Sequence, residues 1–360
     1  MNMYDLSIDE LIGQRFILGV NSNNIDIILK LVREKYLGGV ILYKKNYKTY
    51  EEMITVINKM KEANKDNKIP LFVAIDQEGG VVNRLPGEIH GMRNIYTVTK
   101  NNKEDVTEYA SIISQILSNV GVNMNFSPVV DIYNNSKSKA LINRCFYGNV
   151  DDVIDLALKY VKEFEKRDIL SVVKHYPGHG ATKMDSHLFV PYVFNYKDIL
   201  NRHIVPFNIL SKKGIDAIMV GHILVRKLCG ILPASLDNKF VNKYLRHDNS
   251  FEGLIISDEI NMVKHNFIYR FIYADKILKS FNDMILIKIS NEKEVDKIIA
   301  KYKKILKLPE YKEYLDKFVE RIIMIKEKYN VSDKIVDGKI DLEKINDRID
   351  KLNQKNETLL

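Results

Sequence analysis

Eight short apolar runs, each followed by polar residues, recur along the chain and leave few folds open to it. They are Arg15–Val20, Gly39–Tyr43, Leu71–Ile75, Val122–Phe126, Ile169–Val173, Ile215–Val220, Leu254–Ser257 and Met284–Ile287. Most are rich in Val and Ile without apolar–polar alternation, the pattern of parallel strands covered on both faces. The charged segments between them carry helical spacing. Val153, Leu156, Ala157, Tyr160, Val161 and Phe164, for example, form one stripe with Asp, Lys and Glu opposite. Eight strand–helix alternations predict an α/β fold: a single (β/α)8 TIM-type barrel with a helical C-terminal extension. A doubly wound sheet would more often carry a Gly-x-Gly-x-x-Gly turn after its first strand, and none is present. A chain of 360 residues is compatible with one such domain. The expected division is a barrel over residues 1–330 and a Lys/Asn-rich, helical or weakly ordered tail over 331–360. Within the first part, residues from about 293 to 330 read as amphipathic helix, with Phe318, Ile322 and Ile325 on one stripe.

The net charge of +8 fits either an anionic partner or a Lys-rich solvated surface with acids interspersed, and the second is the expectation. No spacing supports a nucleic-acid site, a cofactor or a metal. Cys145 and Cys229 are too few for a disulfide framework. The first residues lack a basic and then apolar leader pattern, and no apolar run approaches the ~18 residues that span a bilayer. A cytoplasmic protein without membrane contact is therefore expected. No feature bears on oligomeric state.

In a barrel, chemistry gathers at the carboxyl ends of the strands. Polar clusters stand there after four runs: Asp76-Gln77-Glu78-Gly79-Gly80 with Asn83-Arg84; Lys174 through His187; Gly221-His222; and Asp258-Glu259. Arg144 lies on the long connection after the fourth run. Each has an ordinary alternative. Asp258 alone could be a helix N-cap, and Glu259 a first-turn carboxylate. Gly79-Gly80 could be a tight turn, Arg84 and Arg144 surface residues, and His222 a hydrogen-bonded histidine. Their convergence on one barrel face is the functional signal.

Three chemistries compete for the segment from Lys174 to His187. Metal binding could use His175 and His179, four apart, but Pro177 and Gly178 break the helix that would align them. A phosphate cradle could use Gly178 and Gly180 with Lys174, yet the lysine stands at the wrong end of the loop. Acid/base work by His187 with Asp185 is favoured. A carboxylate on one imidazole nitrogen fixes the tautomer and frees the other to exchange a proton near neutral pH.

These segments resemble glycoside hydrolase family 3, specifically its single-domain, NagZ-type β-N-acetylglucosaminidases. Asp76-Gln77-Glu78-Gly79-Gly80 with Arg84 is similar to the family's sugar-binding motif. Lys174-His175-Tyr176-Pro177-Gly178-His179-Gly180, Thr182 and Asp185-Ser186-His187 resemble its most diagnostic signature. Ile256-Ser257-Asp258 with Met262 resembles the nucleophile segment, and Asn125 through Asp131 and Arg144-Cys145-Phe146 two further stretches. The likeness runs from about residue 7 to about residue 330. It implies a retaining hydrolysis of terminal β-linked N-acetylglucosamine from cell-wall fragments. Asp258 would be the nucleophile, the His187–Asp185 pair the acid/base, and Asp76, Arg84, Arg144, Lys174 and His175 the sugar ligands. Val81, Ala181, Glu259, Tyr147 and Gly221 depart from the family pattern without touching an inferred chemical residue. They bear on the leaving-group side. Two other outcomes suit the same residues: a phosphorylase using phosphate in place of water, and a catalytically silent sugar-binding barrel.

Overall fold

The first strand, β1 (Phe16–Gly19), is also where the molecule closes on itself. In this computed structural model, which describes residues 5–20, 22, 25–133, 139–182, 191–261 and 273–357, β1 pairs in parallel with both β2 (Gly39–Leu42) and the last strand, β9 (Ile285–Lys288). From β2 the ladder runs through β3 (Phe72–Ile75) and β4 (Met124–Asn125) to β5 (Leu170–Ser171). A second ladder joins β6 (Val173–Tyr176), β7 (Ala217–Val220) and β8 (Leu254–Ser257). β5 and β6 are successive halves of one stave, interrupted at Val172. A parallel bridge between Ile256 and Met284, with the Ser257 amide donating to the Met284 carbonyl at 3.0 Å, connects β8 to β9. The result is an eight-stave parallel barrel, as the apolar runs predict.

Side chains alternate across each stave. Phe72, Ala74, Ala217, Met219, Leu254 and Ile256 fill the interior. Val73, Ile75, Ile218, Val220 and Ile255 face the surrounding helices. A barrel interior is thus a packed core, not a pore. The stripe anticipated at 153–164 is the buried face of the helix Val150–Glu165, whose N-terminus Asn149 caps.

The helix expected from about 293 to 330 is two helices, Glu292–Ile305 and Pro309–Lys328. Pro309 has no N–H to donate, and its ring would clash with the carbonyl four residues back. It therefore opens the second helix instead of continuing the first. That second helix closes the bottom of the barrel, with Ile322 and Ile325 joining the interior core and Tyr329 just beyond its end doing the same. Beside them, buried Lys326 donates to the Gln14 side-chain oxygen at 2.8 Å, the Gly38 carbonyl at 2.9 Å and the Pro70 carbonyl at 2.6 Å. These acceptors stand just ahead of β1, β2 and β3, so one ammonium ties three strand starts together. Lys326→Met would keep the stem but leave acceptors unpaired. We expect a loss of about 1–3 kcal/mol in urea unfolding, with turnover unchanged because the site lies at the other end. An unaltered urea midpoint would show that the ammonium does not hold the strand starts.

The seam between β1 and β9 is held by Arg15, which is fully buried. Its guanidinium donates to the carbonyls of Leu278, Ser280 and Asn282 at 3.0, 3.2 and 2.6 Å. The helix Leu342–Lys355 packs back on the barrel through Ile345, Ile349 and Leu352, with Arg348 on Glu108 at 2.8 Å. Asn346 accepts from the His90 amide and Asn353 from the Arg93 amide, both at 2.9 Å. The helix therefore straps down the connection that follows β3. Among the described residues no helix is long and apolar enough to cross a membrane.

Candidate active site

A cavity of about 350 Å³ opens at the carboxyl ends of the staves. Its lining brings together Asp76, Arg84, Arg144, Lys174, His175 and Asp258, six of the eight residues singled out from sequence. The other two, Asp185 and His187, lie outside the described residues, as does Met262.

Asp76 follows β3 directly, and the backbone then turns sharply. Gly79 has φ +85°, and a Cβ there would stand 1.8 Å from the Tyr109 hydroxyl, which donates to the Glu78 carbonyl at 2.9 Å. Only glycine permits this approach. The turn sends Glu78 inward. The Glu78 carboxylate accepts from Lys174 Nζ at 2.6 Å and from Arg144 at 2.7 and 2.8 Å in a bidentate fork. Lys174 Nζ also donates to Asp76 at 2.6 Å. Burial alone would raise the Glu78 carboxyl, but Lys174 and Arg144 hold it far below the usual carboxylate range. Burial likewise works against the Lys174 ammonium, and Asp76 and Glu78 outweigh it, so its pKa is raised. Two anions and two cations thus interlock, presenting fixed donors and acceptors to the cavity. Arg84 joins from the next turn, its amide donating to Gln77 Oε1 at 2.7 Å and its own Nε buried without a hydrogen-bond partner among the described residues.

His175 ends the fifth stave. Asp131, fully buried, accepts from its amide at 3.1 Å and faces its Nδ1 at 2.8 Å, while the His179 amide donates to the other oxygen at 2.6 Å. Burial opposes ionisation of Asp131, and the His175 contact more than offsets it, lowering its pKa. The His175 ring is thereby fixed, with Nε2 left for the cavity. Burial and the neighbouring His175 push His179 down to about 4, so it stays neutral.

Asp258 follows β8. Its amide donates to the Val220 carbonyl at 3.0 Å, and its Oδ1 accepts from the Glu259 amide at 2.8 Å. Burial would raise its carboxyl, and His222, His175, the Glu259 amide and Lys174 together lower it. Burial favours the neutral form of His222. His222 Nε2 faces the Glu259 carbonyl at 3.0 Å and Nδ1 the Ser235 hydroxyl at 2.6 Å. In the neutral ring, Nε2–H donates and Nδ1 accepts. Glu259 turns away from Asp258, and its Oε1 accepts from the amides of Asn261 and Lys288 at 3.0 and 3.1 Å. It links the ends of β8 and β9 and fixes the backbone that carries Asp258.

Sequence reasoning named no role for Glu78 or Asp131. Glu78 had a signal, two places from Asp76 in a strand-end cluster. Asp131 had only its place after the fourth run. Among the described residues no three His, Cys, Asp or Glu side chains are grouped to hold a metal ion. The cavity offers an ionised carboxylate, Asp258, together with a fixed array of donors and acceptors.

Comparison with known proteins gives one consistent result. The model of the glycosyl hydrolase family 3 N-terminal domain matches residues 7–325. Over 290 residues the chain is 31% identical to Beta-hexosaminidase A of Pseudoalteromonas piscicida, covering 74% of this chain but only 48% of that protein. It is 27% identical over 275 residues to the Beta-hexosaminidase of Actinobacillus pleuropneumoniae serotype 5b (strain L20), covering 74% of this chain and 77% of the relative. The solved structure of a family 3 β-N-acetylglucosaminidase from Paenibacillus sp. str. FPU-7 superposes with a TM-score of 0.86 at 26% identity, over 98% of this chain and 69% of that one. The chain thus spans about half the length of the Pseudoalteromonas relative.

Proposed function

The chain belongs to glycosyl hydrolase family 3, and from that premise we propose that it removes terminal β-linked N-acetylglucosamine with retention of configuration. The observation that carries this reading is Asp258, ionised and facing the interlocked Asp76–Lys174–Glu78–Arg144 array across one cavity. A sugar ring with several hydroxyls needs both donors and acceptors at fixed positions, and that array supplies them. The cavity volume suits one sugar unit.

In this mechanism a carboxylate oxygen of Asp258 attacks the anomeric carbon. The bond from that carbon to the leaving oxygen breaks, and the leaving oxygen takes a proton from His187. A glycosyl ester on Asp258 results. Water then gives a proton to His187 and attacks the same carbon, which frees Asp258 and the sugar. Asp185 orients the His187 ring in this scheme. Asp76, Arg84, Arg144, Lys174 and His175 hold the sugar. The proposed substrates are cell-wall (muropeptide) fragments met in the cytoplasm.

The first test is release of nitrophenol from 4-nitrophenyl β-N-acetylglucosaminide beside the matching β-glucoside, with only the N-acetyl substrate expected to turn over fast. His187→Ala should then lower kcat/KM by about 10²–10⁴-fold on an unactivated aglycone. Much less should be lost with the nitrophenolate, which needs no proton to leave. The Asp131–His175 pair has the carboxylate–imidazole geometry of an acid/base couple. If leaving-group dependence followed His175→Ala instead, that pair would hold the role. With phosphate present, free N-acetylglucosamine is the expected product, and sugar phosphate would overturn the use of water.

A further inference from the structure

Beside the cavity lies a second concavity of about 500 Å³, lined by Tyr96, Tyr133, Phe146, Tyr147, Asn149 and Asp152. None of these has a part in the mechanism above. Tyr96 stands on the helix Ile95–Asn101, capped by Asn94. Its ring meets Tyr133 edge-on at 6.0 Å and Tyr147 edge-on at 5.5 Å. Tyr147 is 39% exposed yet fixed. Its amide donates to Thr99 Oγ1 at 2.9 Å, and the next residue, Gly148, takes φ +137° where a Cβ would meet the Asp152 side chain at 2.5 Å. Among the described residues no hydrogen bond occupies the phenol hydroxyls of Tyr96, Tyr133 or Tyr147. The groove therefore offers preformed aromatic surface whose three phenol hydroxyls carry no hydrogen bond among the described residues. That combination suits a pyranose ring, which has apolar C–H faces and a hydroxylated edge.

The groove is joined to the cavity by short lengths of chain. Tyr133 is two residues beyond Asp131, which fixes His175, and Tyr147 is three beyond Arg144. At ~3.8 Å between successive Cα atoms, both lie within about 11 Å of those residues. Position around the barrel adds direction. Asp258 ends the seventh stave, while the groove is built from the connections after the third and fourth, across the mouth. Because the proposed reaction removes a terminal unit held in the cavity, a further sugar bound next to that cavity lies on the leaving-group side.

We propose that this groove binds a sugar unit of the substrate on the leaving-group side of the cleaved bond. The inference rests on the glycosidase reading above. The test compares kcat/KM of the wild type, Tyr147→Ala and Tyr147→Phe on 4-nitrophenyl β-N-acetylglucosaminide and on a β-linked N-acetylglucosamine trimer. Tyr147→Ala should lose about fivefold on the trimer and nothing on the aryl substrate, with Tyr147→Phe keeping most of the trimer activity. Equal trimer kinetics in wild type and Tyr147→Ala would overturn the proposal. Calorimetric titration of the trimer into Asp258→Ala, with and without Tyr147→Ala, decides the matter separately from turnover. A wild type that cleaves neither substrate would sink the glycosidase reading, and the titration would still judge the groove. Unchanged affinity, or two trimers bound per chain, would reject it as a leaving-group subsite.

Discussion

Asp258→Ala should reduce turnover of a terminal β-N-acetylglucosaminide by about 10⁴–10⁶-fold, the scale seen when a covalent nucleophile is removed. The effect should fall on kcat, because the sugar-holding array is untouched. Among the described residues the Asp258 carboxylate accepts one hydrogen bond, from the neighbouring Glu259 amide, and Glu259 itself braces β8 against β9. The variant should therefore keep the wild-type free energy of urea unfolding to within about 1 kcal/mol. Parallel measurement of unfolding and of aryl-glycoside kinetics separates the two effects. Retention of even a few per cent of kcat in a folded Asp258→Ala protein would remove Asp258 from the nucleophile role.

Glu78→Ala should be the most destabilising substitution in the cavity, at about 3–5 kcal/mol. It removes the carboxylate that pairs with both Lys174 and Arg144 and leaves two buried cations sharing Asp76. Sugar binding should weaken with it, since Lys174 and Arg144 lose the contact that aims them. The pH dependence has a definite sign. The folded-state pKa of Glu78 lies well below its ordinary value of 4.5, so the pairing contributes fully above about pH 4.5. That contribution is lost as the pH falls further, through the folded-state pKa. Urea unfolding from pH 7 downward should show the wild type's margin over Glu78→Ala beginning to narrow near pH 4 and narrowing further as the pH falls toward 3. A margin that stays unchanged from pH 7 down to pH 3 would mean the ion pairs add nothing net.

The strands were legible because a parallel barrel buries both faces of every stave, which writes continuous Val- and Ile-rich runs into the chain. Leu254–Ser257 coincides with β8 in full. The fourth run shrank to Met124–Asn125, since the buried Asn123 side chain, accepting from the Val73 amide at 2.7 Å, replaces part of the backbone ladder. Cavity residues were legible where they directly follow a run, as with Asp76, Lys174, His175 and Asp258. Glu78 escaped because its value lies in two partners, 66 and 96 residues away, that meet only in the closed barrel. Lys326 escaped for a related reason. Its helical stripe marks Ile322 and Ile325 as core, but a lysine beside them reads as solvent-facing until three strand starts converge on it. The periodicity of Ile345, Ile349 and Leu352 indicates a helix, while nothing local says that it docks over residues 90 and 93.

The bottom closure by the helix Pro309–Lys328 sets an order of events during synthesis. Every described group lining the cavity has left the ribosome once Lys288 has emerged, yet the barrel interior still lacks Ile322, Ile325 and Tyr329 at its base. Nascent chains fold largely from the N-terminus as they appear. This one must wait, because Arg15 finds its acceptors at residues 278–283 and at Tyr302, and Lys326 gathers β1, β2 and β3 later still. A messenger cut at codon 308 would encode the same cavity lining on a base open to water, a product for proteolysis instead of catalysis. The segment that contributes nothing to the cavity therefore acts as a completeness check on the polypeptide.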